Sequence, residues 1–120
     1  MIRTIVFSSD LIYDDAFKKF LQSQKSIKLT EISSNGNEII RSFSKYDPDL
    51  IILDADLYGL NVLFTIRELL QVSDSVKILL TTTGISKTAL KYISGLANLI
   101  ILYKPFDSKM FLEKLDKFQF

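Results

Sequence analysis

The segment DPDLIILDADLYG, Asp47 to Gly59, constrains the fold more than any other part of the chain. Its centre is an unbroken apolar run, Leu50, Ile51, Ile52 and Leu53, stopped by Asp54. A short run without polar alternation has the character of a strand buried on both faces, the habit of parallel sheets covered by helices. Pro48 is expected to bias Asp47 toward an extended conformation and so to mark where the strand begins. Asp54 then falls at the carboxyl end of a central parallel strand, the edge where open α/β sheets bind ligands. A carboxylate there can also cap the turn that follows.

The flanking segments extend this pattern. Ile2 to Phe7 reads as a strand ending at Ser8-Ser9-Asp10. From Leu11 the period lengthens, and Ile12, Tyr13, Ala16, Phe17, Phe20 and Leu21 make one helical stripe, with Ser9 or Asp10 as N-cap. Ser26 to Ile32 alternates as a second strand, with Ile27, Leu29 and Glu31 expected on one side. Asn35-Gly36 marks a turn, and a short helix with Ile39, Ile40 and Phe43 inward leads to the central strand. Beyond the Asp56 to Gly59 loop, Leu60 to Leu70 is helical, with Leu63, Ile66, Leu69 and Leu70 facing the core. Val76 to Leu80 is a bare apolar strand running into Thr81, and Ser86 to Leu96 is a helix with Leu90 and Ile93 inward. Leu99 to Leu102 is the last strand. Asp107 or Ser108 caps a final helix carrying Met110, Phe111, Leu115 and Phe118.

Strands alternating with helices predict an α/β fold: a flavodoxin-like (βα)5 doubly wound parallel sheet, strand order 2-1-3-4-5, with residues 1–120 forming one domain. That order would gather Ser8-Ser9-Asp10, Asp54, Asp56, Thr81, Thr82 and Lys104 on one edge of the sheet.

Composition narrows the chemistry available at that edge. The chain contains neither cysteine nor histidine. This excludes disulfides, thiolate nucleophiles, histidine metal sites, Ser-His triads and histidine phosphoacceptors. A formal net charge of +1 in 120 residues offers no global field for nucleic acid or anionic membrane. No apolar stretch reaches the roughly 18 residues of a membrane span, and MIRTIVFSSD lacks the apolar segment of a signal peptide. A cytoplasmic domain, with no direct contact to nucleic acid or membrane, is the expectation.

PDLIILDADLYG, the strand ending in Thr81 and the triplet Lys104-Pro105-Phe106 together resemble the receiver domain of two-component response regulators, of the CheY-like kind. The resemblance covers essentially the whole chain. It implies that Asp54 is the phosphoacceptor of a phosphorelay. It also implies that Thr81 and Lys104 contact the phosphoryl group, and that Thr81 swings inward on activation. Pro105 matches a proline preceded by a cis peptide in the family. The residue types suit the chemistry: an attacked phosphorus leaves three charged oxygens on the carboxylate, and lysine, threonine and loop amides can stabilise them.

This sequence also departs from the family. Receivers end the first strand in a pair of acids that hold Mg²⁺, and the helical register here places Ser8 and Ser9 in that position, with Asp10 just beyond. Shifting the register by one residue would restore one acid as Asp10, but would turn the helix stripe by about 100 degrees. Mg²⁺ prefers octahedral oxygen ligands including one or two carboxylates. Weak binding by Asp54, with Asp10 and Asp56 adding charge, is therefore expected. The aromatic switch position, three before the lysine, is Ile101. Val62 stands where the family has glycine, and an altered helix start is expected there.

The leading expectation is a non-enzymatic, atypical receiver that signals mainly through protein contact, with reduced or absent dependence on phosphorylation. Its partners would be a histidine kinase or another signalling protein. A homodimer would form through the fourth helix, fifth strand and fifth helix, rimmed by Lys87, Lys91, Tyr92, Lys109 and Glu113. The alternative is a working receiver phosphorylated on Asp54 by a histidine kinase, controlling a DNA-binding output domain in transcription regulation. A third reading, from a different class, is a flavodoxin-like binder that cradles a phosphate at Ser8-Ser9-Asp10 and the helix N-terminus.

Overall fold

The computed structural model describes residues 1–9 and 15–120. Five strands, β1 (Ile2–Phe7), β2 (Ile27–Ser33), β3 (Leu50–Asp54), β4 (Lys77–Thr82) and β5 (Leu99–Tyr103), form one parallel sheet in the order β2-β1-β3-β4-β5. Between and after them lie α1 (Asp15–Ser23), α2 (Ile39–Tyr46), α3 (Val62–Val72), α4 (Lys87–Ile93) and α5 (Ser108–Leu115). This is the flavodoxin-like arrangement that the alternating pattern predicts.

Strand periodicity divides the core in two. Ile5, Phe7, Ile51, Leu53, Ile78 and Leu80 pack with Ile39, Phe43, Ile66, Leu69 and Ile93 of α2, α3 and α4. Their neighbours Val6, Leu50, Ile52, Leu79 and Leu102 pack with Leu21, Phe111 and Leu115 of α1 and α5. Every residue of β3 is buried, as the unbroken apolar run requires. Each such leucine or isoleucine contributes about 1.5–3 kcal/mol by leaving water. Phe17 and Phe111 meet edge to face at 5.3 Å, tying α1 to α5.

Several local expectations are corrected. Asp47 is not extended: it sits in the left-handed region, φ 45 and ψ 61, as C-cap of α2, where its N–H donates to Phe43 O at 2.9 Å. Aspartate tolerates that conformation, and closing the helix outweighs the bias from Pro48. In β2 the register shifts where Thr4 pairs with Leu29 but Ile5 pairs with Glu31. This bulge makes Ile32, rather than Glu31, join Ile27 and Leu29 in the second cluster. α3 starts at Val62, not Leu60, because the Asn61 side chain accepts from the Phe64 N–H at 3.0 Å and caps it. Leu90 was expected inward but is 36% exposed, because α4 turns Ala89 and Ile93 to the sheet instead. Phe118, expected on the final helix, is buried but lies beyond the end of α5, which does carry Met110, on its exposed side. The expected helix start at Leu11, the stripe positions Ile12 and Tyr13, and Asp10 lie outside the described residues.

Candidate functional site

The carboxyl ends of β1, β3, β4 and β5 converge because the strands are parallel and in register. Phe7 pairs with Leu53, so Ser8 follows at the level of Asp54. Asp54 pairs with Thr81, and Thr82 pairs with Tyr103, which places Lys104 one step further along the same edge. The peptide between Lys104 and Pro105 is cis, as the resemblance implied.

Asp54 is completely buried, and both of its oxygens are engaged. Oδ1 accepts from the Lys104 ammonium at 2.9 Å and from the Asp56 N–H at 2.9 Å. Oδ2 accepts from the Ser8 hydroxyl at 3.1 Å. A buried carboxylate needs this degree of pairing, since an isolated charge in a low dielectric costs several kcal/mol or more. The Lys104 side chain is 15% exposed, so the pair is only lightly screened by solvent.

The second carboxylate binds the neighbouring loop. Asp56 Oδ1 accepts from the Thr82 hydroxyl at 3.0 Å, and Oδ2 accepts from the Thr83 N–H at 2.8 Å. Asp56 Oδ2 also lies 3.3 Å from Lys104 Nζ. Burial alone would raise the Asp56 pKa, but the Thr83 amide, the Thr82 hydroxyl and the Lys104 ammonium together hold it below the ordinary carboxylate value.

Thr81 is buried, and its Oγ1 has no hydrogen-bond partner among the described residues. An unpaired buried hydroxyl costs about 1–3 kcal/mol and is the kind of group a bound anion would satisfy. Ile101 pairs with Leu80 and packs, half-buried, against the first core cluster. Tyr103 is exposed, level with Thr82.

The structure therefore brings together Ser8, Asp54, Asp56, Thr81 and Lys104, while Asp10 lies outside the described residues. Sequence reasoning missed the bonds from Asp56 to Thr82 and Thr83. The Asp54-Ala55-Asp56 spacing was the available signal, since it puts a second carboxylate just beyond the strand end, within reach of the loop after β4.

Receivers hold Mg²⁺ in an acidic pocket, and the donor set here fits that ion poorly. Among the described residues no three carboxylates converge. The two that approach each other each turn one oxygen to Lys104, so a dication there would sit beside an ammonium that already offsets their charge.

No helix among the described residues is long and apolar enough to cross a membrane. A family model described as the response regulator receiver domain matches residues 10–116. The fold is similar to a CheY-like receiver domain protein from Methanospirillum hungatei JF-1: 16% identity, 98% of this chain and 92% of that one, TM-score 0.81. It is also similar to a LuxR-family DNA-binding response regulator from Staphylococcus aureus, with 15% identity, 98% of each chain and TM-score 0.80. The signal receiver domain of a DNA-binding response regulator (merR) from Colwellia psychrerythraea 34H matches with 14% identity, 98% of this chain, 97% of that one and TM-score 0.79.

Proposed function

The chain belongs to the response regulator receiver domain family of two-component systems, and from that premise we propose that residues 1–120 form one atypical receiver unit. It acts mainly through protein contact, with reduced or absent dependence on phosphorylation. It is a signalling module rather than an enzyme.

The observation that carries this reading is the engagement of both Asp54 oxygens by the protein's own donors. Ser8 donates to one oxygen, and Lys104 and the Asp56 amide donate to the other. The serine hydroxyl supplies no negative charge for a metal, and Asp56 directs its carboxylate to the Thr82 hydroxyl, the Thr83 amide and Lys104. Mg²⁺ binding is then weak. Without a dication to neutralise the incoming phosphoryl oxygens, attack by Asp54 on a phosphodonor loses its main electrostatic support.

The output surface is α4, β5 and α5. Leu90, Tyr103 and Met110 are exposed on these three successive elements. Lys87, Lys91, Tyr92, Lys109 and Glu113 supply a charged and aromatic rim. A homodimer through this face is the proposed standing contact, and a histidine kinase or another signalling protein is the further partner. The domain itself contacts neither DNA nor membrane, and its place is the cytoplasm.

A second reading draws on a specific observation. The Thr81 hydroxyl, unpartnered among the described residues, lies beside Asp54, and Lys104 is within hydrogen-bond reach of the carboxylate. These groups favour a working receiver, phosphorylated on Asp54 by a histidine kinase and controlling a DNA-binding output domain.

Treatment with a small phosphodonor and Mg²⁺, read by intact mass and by sedimentation, separates the two. The atypical receiver gives little adduct and unchanged association. A stoichiometric adduct with altered association would replace it with the working receiver.

A further inference from the structure

The loop from Thr83 to Ser86 joins β4 to a helix of only 7 residues, α4, which buries Ala89 and Ile93 alone. So short a helix has little stability of its own, and its position rests on those two buried contacts and on whatever holds its leading loop. Ile85 packs against the first core cluster, but nothing among the described residues beyond its chain neighbours comes within 4 Å of where a Cβ on Gly84 would stand, so the first half of the loop is not held by packing at that point. Polar contacts hold it instead. The Thr82 hydroxyl accepts from the Gly84 N–H at 3.0 Å, and its single proton is shared between Gly84 O at 2.9 Å and Asp56 Oδ1 at 3.0 Å. The Thr83 N–H points to Asp56 Oδ2 at 2.8 Å.

Asp56 is itself anchored. Its N–H donates to buried Asp54, and its carboxylate lies 3.3 Å from Lys104. The ends of β3 and β5 and the loop after β4 are thus joined through one side chain. We propose that Asp56 is a built-in latch, whose carboxylate binds the loop between β4 and α4 and the Lys104 ammonium together with no phosphoryl group on Asp54.

Lys104 and a loop amide are donors that an anion on Asp54 would draw on. Asp56 competes for both, and it holds the approach to α4 in one conformation. Thr81 stands outside the latch, its hydroxyl unengaged by Asp56. The latch rests on the reading of a standing contact surface and supplies its physical cause, because α4 is part of that surface. An equilibrium responds only to differences in affinity between its states, and a resident carboxylate holding one state leaves little for a phosphoryl group to shift.

Amide hydrogen exchange on the full chain tests it. In Asp56→Ala, exchange at Thr83 should quicken by about tenfold or more, while the β3 amides of Ile51 and Leu53 stay unchanged. Asp56→Asn keeps an oxygen for the Thr83 amide but loses the charge facing Lys104, so it should fall between Ala and the parent. Thr82→Val should quicken Gly84 more than Thr83. Thr83 exchange within about twofold of the parent in both Asp56 variants overturns the latch. An acceleration spread evenly through the strands also overturns it, because it signals general loosening. The readout needs neither phosphodonor nor partner, so its failure is distinguishable from failure of the standing-contact reading, which is tested on Asp54.

Discussion

The Lys104 ammonium donates to Asp54 Oδ1 at 2.9 Å, joining the end of β5 to the end of β3 across a carboxylate that is fully buried. The two partners are not equivalent. Lys104 has a second anion, Asp56, at 3.3 Å, while Asp54 forms no second ion pair among the described residues.

Lys104→Met should therefore cost more than Asp54→Asn. Removing the ammonium strands a buried carboxylate and should lower stability by about 3 kcal/mol. Removing the carboxylate leaves Lys104 paired with Asp56 and should cost about 1 kcal/mol. Urea unfolding at neutral pH measures both. Equal losses would mean that the lysine is not what compensates the buried charge.

The opposite edge of the sheet supplies a pH dependence. Asp49 Oδ2 accepts from the Arg3 N–H at 2.8 Å, and its Oδ1 accepts from the guanidinium at 3.1 Å. Hydrogen bonding from the Arg3 side chain holds the Asp49 pKa below its ordinary 3.8, against an opposing push from burial. A lowered folded-state pKa means that the stabilisation is complete above that ordinary value and is lost as pH falls through the folded one. Asp56 shifts the same way. Unfolding midpoints of the parent should drop more steeply below about pH 3.8 than those of Asp49→Asn. Parallel curves would remove Asp49 from the acid transition.

Mg²⁺ titration followed by amide shifts around Asp54 should give an affinity in the millimolar range or weaker. The cause is the charge count: two carboxylates at the described site already face an ammonium. Sub-millimolar binding would mean that ligands beyond Asp54 and Asp56 complete the site.

The standing contact predicts that surface changes matter without touching the core. Leu90→Ser and Met110→Ser should weaken self-association while each lowering stability by only about 1 kcal/mol, since both side chains lie at the surface and are partly exposed. Sedimentation across a concentration series is the check. Association equal to that of the parent would place the contact on another face.

How much of this was legible in the sequence depends on the range of the interaction. The β3 run and the two faces of the sheet followed from periodicity, because Ile51 and Leu53 pack on one side and Leu50 and Ile52 on the other. The convergence of Asp54, Thr81 and Lys104 followed from strand order. What periodicity cannot carry is a local choice between two satisfied arrangements. Asp47 took the helix cap over the extended form, β2 absorbed an extra residue at Thr30, and α4 turned Ala89 and Ile93 inward in preference to Leu90. The direction of the Asp56 side chain was hidden for the same reason. A carboxylate beyond a strand end can face a metal or a loop, and only the position of the Thr83 amide decides between them.

The most direct test compares Asp54→Asn with the parent in sedimentation and in cellular output. The substitution removes any phosphoacceptor while keeping an oxygen for Lys104 and for the Asp56 amide. Unchanged association with retained output is the predicted result. Loss of association or output would contradict the account and show that phosphorylation of Asp54 controls the surface.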